Sequence, residues 1–401
     1  MAADPDPLSV PTAAPPAKPA VWNDPAWRAL FFQVVVVGFV ILVAVFLVTN
    51  TLNNLERQGI ASGFGFLNST AGFSIGETLI PYHEENTYGR TFLVGLLNTI
   101  WISVWGVMLA TILGFIVGVA RLSTNWLISK ISMVYIEILR NIPLLLQIFF
   151  WYFAVLRPLP GPRQSLSLGD GFFLNNRGMY FPDPVLEDDF WLVTAAIIVS
   201  VAVFFVVRRW AHIRQDRTGQ QFPVFWFGIG LIIGVPLLMF FAAGSPLHFD
   251  YPALKGFNFT GGSVMSPEFF ALWLALSTYT AAFIGEIVRA GILSVSHGQT
   301  EAAYAVGLRR GPTLRLVIIP QALRVIIPPL TSQYLNLTKN SSLAAAIAYP
   351  DLVLVFAGTT LMQTGQAVEI IAMTMAVYLT LSLIISTIMN WYNNKMALVE
   401  R

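Results

Sequence analysis

The sequence predicts an all-α polytopic membrane protein with about eight transmembrane helices. Three observations carry that expectation. Of 401 residues, 56% are hydrophobic and only 11% are charged, with a mean hydropathy of +0.67. A soluble domain carries about 25% charged residues, so this chain cannot cover a water-facing surface. Apolar runs of about 20 residues, the length that crosses a hydrocarbon core, recur along it. Lys and Arg gather in alternate connections, the bias that distinguishes cytoplasmic loops.

Residues 1–27 are rich in Ala, Pro and Asp, with Lys18 their one basic residue. They lack the basic start of a signal peptide and read as a disordered cytoplasmic tail. Residues 28–52 hold a leading span dominated by Val and Phe, and 53–91 a periplasmic loop. Further apolar runs lie at about 92–120, 131–156, 190–207, 223–243, 268–290, 331–357 and 369–391. The run at 331–357 is unusually polar. Gly114 and Gly118 form a GxxxG pair that allows close helix packing, although chance in a Gly-containing apolar run explains it equally well.

With an even number of spans, both termini share a side. Placing them in the cytoplasm gives the inside segments fifteen basic and six acidic residues, and the outside segments six basic and thirteen acidic ones. The opposite orientation reverses the bias. A net charge of +2 thus conceals a chain strongly polarised across its membrane. Zero Cys excludes disulfides, thiolate metal sites and a cysteine nucleophile. Four scattered His with no pair at ligand spacing give no metal site. No catalytic residues, bound cofactor or nucleic-acid partner are expected.

The segment 294–324 is the longest hydrophilic break in the second half. Glu301, Ala302, Ala303 and Ala305 favour helix, Gly307 interrupts it, and Pro320 begins a new apolar run. A short helix with small residues on one face, followed by Arg309, Arg310 and Arg315, suits docking into a groove of a soluble partner. An ordinary helical loop lying on the membrane surface is the alternative, and the residues by themselves favour it over docking.

Here the chain resembles a known family. Glu301-Ala302-Ala303, Gly307 and Ile318-Ile319-Pro320 match the EAA loop of ABC importer permeases. Gly298-Gln299 abuts the motif, while Ile327-Pro328-Pro329 and Lys339-Asn340-Ser341-Ser342-Leu343 follow it. Upstream, Glu137, Arg140-Asn141-Ile142-Pro143 and Gln147 look like the E-x-x-R-G-T-P-L-L-V-Q stretch of polar amino-acid permeases. The likeness covers about 92–156 and 268–395, and its size looks most like the permease of a general L-amino-acid importer.

The resemblance implies a five-helix type I importer core, split into 92–156 and 268–395 by an insertion at 157–267 with two spans. Gly298, Glu301, Ala302, Ala303, Gly307 and Pro320 would form the coupling surface for a separate ABC ATPase dimer. The chain has no GxxxxGK[ST] phosphate loop, so ATP and Mg would be held by that partner. A homologous second permease or a second copy, and a periplasmic amino-acid-binding protein, would complete the importer. The Arg208, Arg209, Arg214 and Arg217 cluster in the insertion reads as a positive-inside anchor.

Polar side chains at membrane depth are functional candidates. Gln333, Asn336 and Asn340, spaced by three and four, form one helical stripe that Lys339, Ser341 and Ser342 extend. The stripe reads as a substrate pathway or as a hydrogen-bonded seam to the second permease. Neutral amides impose no charge on a ligand's side chain, which points to broad rather than cationic specificity. Asn98, Thr99 and Gln147 are further pathway candidates, with Gln147 also placed to satisfy the backbone freed at Pro143. Glu286 with Arg289, and Glu137 with Arg140, are at i,i+3 and read as ion pairs. The rival from another class, an ion-coupled secondary transporter, would need intramembrane carboxylates and inverted repeats that the spans do not offer.

Overall fold

The computed structural model describes residues 25–57, 62–169 and 171–396; the expected tail, up to residue 24 and including Lys18, lies outside them. Helix α1 (Pro25–Arg57) comes first, with every residue of its 30–50 stretch exposed. A loop leads to α2 (Tyr88–Arg121), the long central helix of the chain. The expected span at 131–156 is two helices, α3 (Trp126–Asn141) and α4 (Leu144–Leu156), bent by 107°. Pro143 causes the bend: it lacks an N–H and forces Ile142 into extended backbone, φ −93° and ψ 128°.

The insertion is not wholly helical. Four short strands, β1 (Leu166–Leu168), β2 (Phe172–Asn175), β3 (Gly178–Phe181) and β4 (Asp183–Leu186), precede α5 (Phe190–Thr218) and α6 (Val224–Ala242). Four more follow: β5 (Leu247–Asp250), β6 (Ala253–Lys255), β7 (Asn258–Thr260) and β8 (Ser263–Met265). Strands from before and after the helical hairpin pair antiparallel, β3 with β8 and β4 with β5, so the insertion closes on itself. Helix α5 runs past the predicted 207, placing Arg208, Arg209, Arg214 and Arg217 on the helix rather than in a loop.

The chain then returns through α7 (Pro267–Leu293), the short α8 (His297–Ala305), α9 (Arg310–Ile347), the short apolar α10 (Val353–Thr364) and α11 (Ala367–Met396). Among the described residues seven helices are long and apolar enough to cross a membrane, or eight if the bent pair is one span. The span expected at 331–357 is corrected. Its helix resumes at Arg310 and stops at Ile347; the chain reverses through Ala348 (φ +61°), and α10 is a separate piece. Two effects hid this. Pro320 sits at the start of a regular stretch after a π-helical turn over Leu314–Ile318, which absorbs the proline ring without ending the helix. The turn at 348–351 is only four residues long and lies between the apolar runs 343–347 and 352–357, so a hydropathy window of about 19 residues averages across it.

The core is centred on α2 against α7. Ile102, Ala110, Leu272, Ala275, Leu276 and Ile284 are all 0% exposed. Gly114 and Gly118 make that contact possible. A Cβ at Gly114 would lie 2.5 Å from Ile284 Cβ, and one at Gly118 2.6 Å from the Gly285 carbonyl oxygen. The GxxxG pair is therefore a packing device rather than chance.

Candidate functional site

The EAA segment folds as a helical hairpin that stands off the core. Helix α8 ends in a Schellman motif: the Leu308 N–H donates to the Ala303 carbonyl (3.0 Å) and the Gly307 N–H to that of Tyr304 (2.9 Å). This end requires left-handed backbone, and Gly307 supplies it at φ +79°. Ala303 is buried, whereas Gly298, Glu301, Ala302, Ala305 and Gly307 are exposed. Val306 is 77% exposed and Tyr304 49%, so the end of the helix presents apolar surface with no described residue against it. Glu301 Oε1 lies 3.0 Å from His297 Nδ1 one turn earlier. Gln321 donates to Gln299 Oε1 at 3.2 Å, tying the hairpin to α9 one residue after Pro320.

The polar stripe lies on α9. Asn336 and Lys339 are exposed, and Gln333 and Asn340 are partly so. None of these four side chains has a hydrogen-bond partner among the described residues. Ser341 and Ser342 behave differently, each bonding back one turn, to the Thr338 and Lys339 carbonyls at 2.7 Å. They shape the end of the helix, and Ser341 is fully buried.

Asn98, Thr99 and Gln147 do not join the stripe. Asn98 donates to the Glu77 and Pro350 carbonyls, both at 2.9 Å, pinning the reversal after α9 onto α2. Thr99 Oγ1 accepts from the Leu352 N–H at 3.0 Å in the same junction. Backbone approaches so closely there that a Cβ on Gly95 would be 2.9 Å from Leu352 Cα. Gln147 Nε2 donates to the Leu139 and Ile142 carbonyls, both at 2.9 Å, satisfying the backbone freed at Pro143.

Of the two expected ion pairs, one forms. Arg289 donates to both Glu286 oxygens, at 2.6 and 3.0 Å. Arg140 does not pair with Glu137; its guanidinium lies 5.1 Å from the Phe283 ring centroid. It lines a cleft of about 300 Å³ with Phe283, Glu286, Pro329, Ser332 and Gln333, where α3, α7 and α9 meet.

Two features of the opposite end escaped sequence reading. A cavity of about 380 Å³ lies between the loop before α2, the start of α7 and the reversal after α9. Glu77 and Glu268 line it, bonded to Ser266 and Tyr152 respectively, both at 2.6 Å. Burial pushes the Glu77 carboxyl above its ordinary range, and the charge of Glu268 adds to this against the hydrogen bond from Ser266. Asp351 is fully buried, capping α10 through the Leu354 N–H at 2.9 Å. Only the tertiary path of the loops assembles these groups, so spacing along the chain carries no signal for them.

Comparison with known proteins adds the following. Residues 217–398 match the model of a family described as the binding-protein-dependent transport system inner membrane component. The chain is 54% identical over 382 residues to the general L-amino acid transport system permease protein AapQ of Rhizobium johnstonii, covering 94% of each chain. It is 56% identical over 378 residues to the putative amino-acid ABC transporter permease protein YhdX of Escherichia coli, covering 94% of this chain and 96% of that one. It is also 44% identical over 409 residues to the glutamate/glutamine/aspartate/asparagine transport system permease protein BztB of Rhodobacter capsulatus, again covering 94% and 96%.

Proposed function

This chain belongs to the family of binding-protein-dependent transport system inner membrane components, and from that premise we propose how it moves its substrate. It is a permease subunit of an ABC amino-acid importer. A separate ATPase dimer grips α8, and a second permease, homologous or identical, faces the polar stripe of α9. A periplasmic binding protein delivers the amino acid. Both termini lie in the cytoplasm, which puts α8 on the side where ATP is available.

The observation that carries this reading is the hairpin at α8. A nine-residue helix with Tyr304 and its C-cap Val306 exposed is too short to be stable in water by itself. Its Gly307 cap fixes the direction in which the chain enters α9, so force on α8 passes into that helix as a rigid-body movement. An unpartnered polar stripe on a membrane helix is costly against lipid. Facing a second permease across an aqueous path, Gln333, Asn336 and Asn340 have water and the substrate's ammonium and carboxylate groups to bond. Amides at these positions tolerate acidic, neutral and basic side chains, which supports broad specificity, in keeping with the name borne by the Rhizobium relative.

The test uses the absence of cysteine from the chain. Ala302→Cys carrying a benzophenone maleimide, in the assembled complex, should form a photoadduct with the ATPase subunit. Adducts with lipid alone, in a complex that still imports amino acids, would refute the coupling role.

A further inference from the structure

We propose that the cleft between α3, α7 and α9 holds the carboxylate of the translocating amino acid, with the Arg140 guanidinium as its anchor. The assignment rests on the pathway reading of α9 and adds to it a residue, a ligand group and a geometry.

Arg140 sits in the last turn of α3 with its side chain exposed. Among the described residues no carboxylate lies within 4.0 Å of it, and the nearby Glu286 is engaged on both oxygens by Arg289. A guanidinium among membrane helices without a counter-charge is expensive and is retained where it has a ligand to bind. Its placement over the Phe283 ring holds the planar fork without consuming its N–H donors. The Ser332 hydroxyl and the Gln333 amide line the same cleft with no protein partner among the described residues. The free groups are thus one cation and two neutral donors. That set matches a carboxylate, which accepts two parallel N–H bonds from guanidinium and further bonds from amide and hydroxyl. An ammonium group could bond to the Ser332 and Gln333 oxygens, but it would face the Arg140 charge, and the carboxylate of the cleft, Glu286, is already held on both oxygens by Arg289.

A cleft of about 300 Å³ is at the small end for ligand sites and has room for a single amino acid, whose carboxylate is the group that Arg140, Ser332 and Gln333 are placed to hold. The arrangement therefore reads what all L-amino acids share and leaves the side chain toward the amides of the stripe. Broad specificity follows without a general loss of grip. A carboxylate from the facing permease subunit has the same chemistry as a ligand for Arg140, and the test separates the two sources.

In the cysteine-free chain, Pro329→Cys places one thiol on the exposed wall of the cleft. Its labelling by a maleimide is followed in the reconstituted complex, and uptake by the wild-type complex is measured alongside. L-glutamate and L-leucine should both slow labelling, whereas 3-methylbutylamine, which is leucine without its carboxylate, should not. Arg140→Gln should abolish protection while the complex still assembles. Arg140→Lys, which keeps the charge but loses the fork, should raise the half-protecting concentration about tenfold. Equal protection by the amine, or full protection in both Arg140 variants, overturns the proposal. So does a complex that imports amino acids yet shows no protection, the result expected if a partner carboxylate occupies Arg140. A wild-type complex that does not import amino acids at all overturns the underlying permease reading instead.

Discussion

Gly307 offers the sharpest test of the proposed coupling between this chain and ATP hydrolysis in a partner. Its φ of +79° lies where a Cβ is disfavoured, yet a Cβ built there meets nothing within 4 Å. A substitution therefore perturbs the backbone without a clash inside the chain. Left-handed backbone costs an ordinary residue about 1–2 kcal/mol, and a β-branched one belongs at the upper end of about 1–3 kcal/mol. For Gly307→Val a cost of about 2 kcal/mol shifts the balance between the capped and frayed turn about thirtyfold. Nine residues of helix cannot resist that without their cap. Gly307→Asn should cost least, because its side chain bonds locally in this conformation, and Gly307→Ala should fall between. The assay is uptake and ATPase activity measured in the same proteoliposomes. Uptake should fall in the order Asn, Ala, Val, by about tenfold or more for Val, while ATP hydrolysis continues and no longer responds to the loaded binding protein. Normal uptake by Gly307→Val would refute the argument. Equal loss in all three variants would show that contact of any Cβ with a partner, not backbone geometry, is decisive.

Three other expectations follow from named contacts. Asn340→Asp should shift uptake toward Arg and Lys, seen in competition among L-glutamate, L-leucine and L-arginine; unchanged relative uptake would sink the specificity argument. Gly114→Leu must force α2 from α7, since its Cβ alone would lie 2.5 Å from Ile284 Cβ; overpacking of about 1–3 kcal/mol or more should lower the melting temperature of the purified complex. Gln147→Leu leaves the Leu139 and Ile142 carbonyls unbonded at the bend. It should destabilise by about 1–3 kcal/mol per buried acceptor while leaving the KM for uptake unchanged, whereas a raised KM would restore Gln147 to the pathway.

Hydropathy located the long helices because lipid imposes one requirement on each, a run of apolar residues. It failed where tertiary contacts choose between equals. The four-residue turn at 348–351 is averaged away between apolar flanks, and it is held by Asn98, Thr99 and Tyr349, two of them more than 240 residues away in sequence. The strands of the insertion are three or four residues long, too short for alternation to register. The EAA hairpin was legible because Gly307 has a local job, ending a helix in left-handed backbone. Arg140 was misread for a comparable reason: i,i+3 spacing suggested Glu137, but the Phe283 ring from a different helix takes the guanidinium. Pairwise spacing describes one helix, and a site made of three needs their packing.

Uptake by the reconstituted complex tests the central claim most directly. Labelled L-glutamate is presented with the binding protein, ATP is supplied on the side of α8 only, and ionophores collapse every ion gradient. Accumulation should require ATP and the binding protein and should persist with the gradients abolished. Accumulation driven by an imposed ion gradient without ATP would contradict the account.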